Sequence, residues 1–308
     1  MAPRFGIDID AVQLTIAQAG SSQTLLVANT AEAITAWLTQ LPAGSCIAVE
    51  SSGRCHETLL TLALTHQVPV YLLNPLDVRR YAQGVGRRAK TDRVDAHVIA
   101  RLLDREIADL RPYSAPPVAF AQIRRLLRHR ASVVAHRAAL QASLHQTPWL
   151  SELQAAFAAT LKAIDAQLHA SLHSVASVCR LRQRLLTIPG VGPLVSALLV
   201  SLLVPHAFAS SDALVAFVGL DPRASDSGQR SGRRKLTKRG DAEARRLLYL
   251  AAKAFARTGL GQPLYRRYRD RALSATATYV ILARKLLRIA WAMHQRDRDF
   301  DPQCLVGA

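Results

Sequence analysis

The sequence predicts an α/β domain first, followed by regions built of helices. Short apolar strand-like runs alternate with helix-periodic segments over roughly the first hundred residues, which argues for a layered α/β unit around a sheet. A Pro-rich break, Arg111-Pro-Tyr-Ser-Ala-Pro-Pro117, ends that pattern. Beyond it the chain is rich in Arg, Ala and Leu at helical spacing.

Taken in order, Phe5–Ile9 and Val12–Ala17 read as two strands with partly alternating polarity. Ala31–Leu41 has helical periodicity, and Cys46–Glu50 is a short apolar strand ending on a carboxylate. His56–Thr65 is helical, and Val68–Leu73 is a strand stopped by Asn74-Pro75. Thr91 is placed to cap a helix running through Leu103. A helix over Val118–Gln146 is interrupted at Thr147-Pro148 and followed by a second to about Leu186, the pattern of an antiparallel hairpin. Each arm is about 40 Å long at ~1.5 Å per residue. Two readings stand for this hairpin: a dimerising coiled coil, or a helical subdomain packed on its own chain. Further helices are expected at Leu194–Leu203, Ser211–Phe217, Ala242–Ala256 and Ala275–Arg296, with a basic loop from Asp221 to Asp241. The expected division is 1–112, 113–186 and 187–308, the last part all-α.

Forty Lys and Arg against 22 Asp and Glu give a formal charge of +18, a balance suited to a polyanionic partner. At 50% hydrophobic residues the chain is not disordered. The Arg residues are spread along the whole chain, which argues against a membrane-surface role. The longest apolar run, Leu194–Pro205, is too short to span a bilayer. Cys46, Cys55, Cys179 and Cys304 show neither C-x-x-C pairing nor regular spacing, which disfavours zinc or a disulfide framework and suits a reducing compartment. With no apolar leader at the start, a cytoplasmic, nucleoid-associated protein is expected.

Asp8 lies in the first strand and Glu50 ends a later one; if both strands are central, their carboxylates can meet at the sheet surface. Asp92 and Asp95, three apart, share a helix face. Four crowded carboxylates repel one another, and hard cations such as Mg2+ or Mn2+ relieve this. For each acid taken alone, a solvated side chain or a helix-dipole partner is the ordinary explanation. Asp10, two residues on along the same strand face, rivals Asp8.

The stretch from Asn74-Pro75 through Arg79-Arg80-Tyr81 and Gly86-Arg87-Arg88-Ala89-Lys90-Thr91-Asp92-Arg93-Val94-Asp95-Ala96 to Ala100-Arg101 resembles the acidic signature of the insertion-sequence 110 (DEDD-type) transposases. Gly6-Ile7-Asp8 and Val49-Glu50-Ser51-Ser52-Gly53 are similar to that family's first two acidic positions. The resemblance implies a RuvC-like, ribonuclease-H-type fold for residues 1 to about 110, with Asp8, Glu50, Asp92 and Asp95 as catalytic metal ligands. Lys90, in the same block, is either a phosphate contact or a solvated loop lysine.

Ile188-Pro-Gly-Val-Gly-Pro193 looks like the turn of a helix-hairpin-helix element, where amides at Gly190 and Gly192 can meet a phosphate. From Arg223 to Arg246 there are nine basic and three acidic residues. Among them Arg223, Arg230, Arg233, Arg234, Lys235, Lys238 and Arg239 are candidate nucleic-acid contacts. This stretch resembles the family's Ser-Gly block, which implies that Ser227 is the nucleophile; Ser225 and Ser231 share the loop, and the residues alone do not choose among the three. Ala283-Arg284-Lys285-Leu-Leu287 completes the pattern, its basic pair being either phosphate contacts or helix-surface charges.

The resemblance implies a homo-oligomeric (dimeric or tetrameric) DNA transposase that cuts and rejoins donor and target DNA through a serine–DNA intermediate. It also implies a structured guide RNA and pairing of one subunit's acidic domain with another's serine domain. The rival enzyme reading is a RuvC-like junction resolvase using water as nucleophile. A rival from another class is a non-catalytic nucleic-acid-binding scaffold.

Overall fold

A computed structural model describes residues 2–51, 55–86, 92–145, 147, 149–173, 176–223 and 235–305, without the side chains of Asp92, Arg93, Ala176, Ser177, Arg223 and Cys304. The chain forms two compact units, Met1–Ala115 and Pro116–Ala308. Among the described residues no helix is long and apolar enough to cross a membrane.

The first unit is built on strands β1 (Arg4–Ile9), β2 (Gln13–Gln18), β3 (Thr24–Ala28), β4 (Cys46–Glu50) and β5 (Val70–Leu73). Their order is β3-β2-β1-β4-β5: the first three form an antiparallel meander, and β4 and β5 run parallel to β1. Antiparallel neighbours need only tight turns, whereas each parallel strand needs a crossover. Helices α1 (Ala31–Thr39) and α2 (Glu57–Thr65) supply the crossovers. They close one face of the sheet, where Ile7, Ile9, Ile47 and Val49 pack with Ile34, Trp37 and Leu59. Helices α3 (Pro75–Gly84) and α4 (Asp92–Glu106) cover the other face, where Cys46, Ala48 and Tyr71 pack with Val78, Val98, Ile99 and Leu102.

Strand β3 and helix α3 are additions to the expected elements. Leu25 and Leu26 on β3 are more than half exposed, so that edge strand lacks a clear apolar alternation. Asn74-Pro75 both stops β5 and starts α3: the Asn74 side chain accepts from the amide of Leu76, and Pro75 sits in the first turn, where its missing N–H costs nothing.

The second unit begins with α5 (Val118–Ser143) and α6 (Leu150–His173). An Arg130–Asp165 ion pair at 2.7 Å, nearly symmetric about residue 147, shows that they pack as an antiparallel hairpin. The expected single arm to Leu186 is two helices, because α7 (Ala176–Leu186) starts afresh. Next come α8 (Pro193–Leu203), α9 (Ser211–Val218), α10 (Ala242–Phe255), α11 (Gly261–Arg269) and α12 (Ala275–Arg296). The base of the hairpin shares one core with them: Phe120, Ile123, Leu168 and Leu172 pack together with Leu198, Leu248, Phe255 and Leu286. This unit is not wholly helical. A two-residue antiparallel ladder joins β6 (Pro222–Arg223) to β7 (Lys235–Leu236), setting Arg223 opposite Lys235.

Candidate active site

The position of Asp8 follows from how α4 lies on β1. Side chains alternate along a strand, so Arg4, Gly6 and Asp8 share the face opposite Phe5, Ile7 and Ile9. Arg4 reaches the far end of α4, donating to the Asp104 carboxylate at 2.9 Å and to its carbonyl. Gly6 lies directly under the helix: a Cβ there would be 2.1 Å from the Ala100 nitrogen and 2.4 Å from the Ala96 oxygen. The strand and helix therefore run in opposite directions. A step of two strand residues, about 6.6 Å, matches about four residues of helix. The next step brings Asp8 level with the first turns of α4, where Asp92 and Asp95 stand.

Glu50 arrives by register. β1 and β4 pair with Ile7 beside Val49, so the next pair along is Asp8 with Glu50. Ala48 packs on the α4 face, and Glu50, two residues on, belongs to that face as well. Asp8, Glu50 and Asp95 are each part-buried and each engaged in at least one polar or electrostatic interaction. Among the described residues no three His, Cys, Asp or Glu side chains gather closely enough to hold a metal ion. The side chain of Asp92 lies outside that statement. In donor type the set suits a hard divalent cation, being all carboxylate oxygen.

The rival Asp10 is committed elsewhere. Its carboxylate accepts from the amides of Val12 (2.6 Å) and Gln13 (2.8 Å), tying the β1–β2 turn. Those bonds, Gln13 first, hold its carboxyl below the usual range. Lys90 lies outside the described residues.

In the second unit the two glycines of the α7–α8 turn differ. Gly190 takes φ +84°, and a Cβ there would be 2.6 Å from both the Ala251 oxygen and the Phe255 nitrogen, so it is a close-packing residue against α10. Gly192 caps α8 and has open space around it. Further on, Gly219 turns at φ +74° against the backbone of 238–240. The Lys238 amide donates to the Gly219 carbonyl (3.1 Å), and the Thr237 hydroxyl donates to Asp221. Arg245 donates to the carbonyls of Val218 and Gly240 from a half-buried position, where desolvation lowers its pKa. The base of the basic loop is thus firmly tied. Ser225, Ser227, Arg230, Ser231, Arg233 and Arg234, and the side chain of Arg223, lie outside the described residues. Lys235, Lys238 and Arg239 are exposed.

The ambiguous pair on α12 separates clearly. Lys285 is buried and donates to the Leu305 carbonyl (3.0 Å), a structural tie to the C-terminal turn. Arg284 is half-buried and keeps its charge less readily than usual, first because of burial and then because of Arg288. Sequence reasoning missed the Arg4–Asp104 tie and the role of Arg245. The first joins side chains 100 residues apart and the second runs to backbone carbonyls, and neither leaves a local residue pattern.

Comparison with known proteins shows the family to which the chain belongs. Residues 6–152 match the family DEDD_Tnp_IS110, described as transposase, and residues 182–269 match the transposase IS116/IS110/IS902 family. The chain is 26% identical over 260 residues to a pilin gene-inverting protein of Moraxella bovis, covering 82% of this chain and 81% of that one. It is also 26% identical over 334 residues to an insertion element IS116 protein of Streptomyces clavuligerus, covering 83% and 84%. Among solved structures, Thermus thermophilus RuvC bound to a Holliday junction aligns over 37% of this chain at 16% identity, with a TM-score of 0.28.

Proposed function

The chain belongs to the IS110 family of transposases, and we propose that it is the recombinase of an insertion sequence, cutting and rejoining donor and target DNA through a serine–DNA intermediate. The observation that carries this reading is the register that sets Asp8 beside Glu50 on the face covered by the start of α4. Asp8, Glu50, Asp92 and Asp95 would hold Mg2+ or Mn2+. When bound, such ions polarise a phosphate and stabilise the leaving oxygen.

Ser227 is the nucleophile in this reading. Its hydroxyl gives up a proton as the Oγ–P bond forms, one P–O ester bond of the DNA breaks, and the released DNA oxygen takes up a proton in turn. Attack by a second DNA hydroxyl reverses these changes, freeing the serine and sealing the new joint. Arg and Lys of segment 223–239 neutralise the charge that builds on the phosphate. The relative named for pilin gene inversion supports rejoining, because an inverted segment must be resealed at both ends and a hydrolytic nuclease reseals nothing. We read the first unit as RuvC-like, the α7–α8 turn as a helix-hairpin-helix contact through Gly192, and the α5–α6 hairpin as an oligomerisation arm. A structured guide RNA and an active site shared between subunits complete the proposal.

The test is strand cleavage and adduct formation with purified protein, DNA and Mg2+. Ser227→Ala should abolish the covalent protein–DNA adduct while leaving DNA binding intact. Asp8→Ala should reduce cleavage by about 100-fold or more. Cleavage without an adduct, unaffected by Ser227→Ala, points instead to a water nucleophile. Unchanged activity in both variants reduces the protein to a binding scaffold.

A further inference from the structure

The first unit contains a second polar feature that the catalytic reading does not use. On the flank of α4 turned toward the β2–β3 hairpin lies a groove of about 500 Å³. One wall is the helix, with His97, Arg101 and Arg105; the other is the chain around Gln18, Ser21 and Ser22. The spacing i, i+4, i+8 stacks the three helix residues on one face, spanning about 12 Å at 1.5 Å per residue. The groove is narrow because small residues bring sheet and helix together: Ala17, Ala96 and Ala100 are buried in contact, with Ala19 packed against them.

Charge is what makes the groove selective. Its one carboxylate, Asp104, is already held by Arg4 at 2.9 Å. Among the described residues, Arg101 and Arg105 have no hydrogen-bond or ion-pair partner, and both are exposed. Two free guanidiniums, an imidazole and two hydroxyls face one trough with no uncompensated anion in it. A guanidinium fork matches phosphate oxygens, and short hydroxyls donate to them as well. Three basic or imidazole groups along 12 Å match the axial rise of three to four nucleotides at ~3.4 Å each. The stripe starts two residues after Asp95 and runs away from the acidic positions along the same helix.

We infer that this groove seats the phosphodiester backbone of a nucleic acid, at phosphates flanking the one presented to the acidic face. The inference rests on the proposed recombinase reading for the placement of the strand, and the test keeps the two apart. Binding of a labelled DNA duplex and of an RNA duplex of the same sequence is measured over a range of salt concentrations. The proteins compared are the unmodified chain, R101A/R105A, R101Q/R105Q and R101K/R105K. For duplex DNA, losing two phosphate contacts should lower the slope of log Kd against log salt by about 1.8. Gln should reproduce the loss, having a polar stem without charge, and Lys should restore the slope. Thermal melting should be unchanged, since both side chains are exposed. The drop is expected with duplex DNA, and a drop confined to the RNA duplex overturns the placement of the groove beside the DNA phosphate presented to the acidic face. Equal slopes for all variants with both duplexes overturn the inference, as does a drop that Lys fails to restore. If the unmodified chain also cuts DNA and forms the adduct, that failure belongs to the groove alone. If slopes drop but nothing is cut, the groove stands and the recombinase reading falls.

Discussion

Gly6 sets the distance between the sheet and the helix that carries two of the four acids. Its lack of a side chain lets α4 approach until the Ala96 and Ala100 backbone occupies the space of a Cβ. Gly6→Ala should therefore push α4 outward or strain β1, costing about 1–3 kcal/mol in urea unfolding of the first unit. Stability equal to the unmodified protein would mean that α4 is free to shift. Asp8 and Asp10 make the same point about scale. On a strand the two are equivalent by alternation. What separates them is that β1 ends at Ile9, which leaves the Asp10 carboxylate to the turn amides.

Among the elements, the α8–α9 connection carries a pH response. The His206 ring packs against Phe208 and Phe217, at centroid distances of 5.8 and 5.1 Å. Burial, and then Arg124, pushes its pKa below the usual 6.5. Burial does the same to His294 on α12, partly offset by its bond to the Leu203 carbonyl and by Asp297. The unfolded chain then binds more protons than the folded one below about pH 6.5, so stability falls as pH drops through that value and is fully present above it. The melting temperature of the second unit should decline from pH 7 to pH 5, and His206→Phe should shrink that decline. An identical pH profile in the variant would remove His206 as a cause. The missed elements also belong at this scale. α3 was hidden because Asn-Pro serves equally as a strand stop and a helix start. α11 is only nine residues long and carries Gly261, Pro263 and three arginines, so the helical spacing of its apolar side, Leu264, Tyr265 and Tyr268, went unread.

For the whole molecule, each unit has cores of its own. Residues 1–115 and 116–308, expressed separately, should each unfold cooperatively in urea as followed by circular dichroism. A fragment that remains unfolded would show that its core depends on the other half of the chain. Composition speaks at this scale too: a charge of +18 favours a polyanionic partner, but it says nothing about which of the arginines are available. Several are paired with carboxylates of the same chain: Arg4 with Asp104, Arg130 with Asp165, Arg246 with Glu243 and, at the exposed surface, Arg288 with Asp212. Arg101 and Arg105 have no such partners among the described residues.

By itself the sequence determined the α/β start, the Pro-rich break, most of the helices and the family signature. Each of these is written in local periodicity, in turn residues or in a contiguous motif. Tertiary structure decided which residues share a face. The 26-residue α5 does not stand apart, because its first turns complete the core of the second unit. Asp8 comes beside Glu50 only because β1 and β4, 42 residues apart at their first residues, Arg4 and Cys46, pair in parallel with Ile7 beside Val49. Shifting that register by one residue would turn Glu50 to the opposite face, and no local pattern in the chain specifies the register.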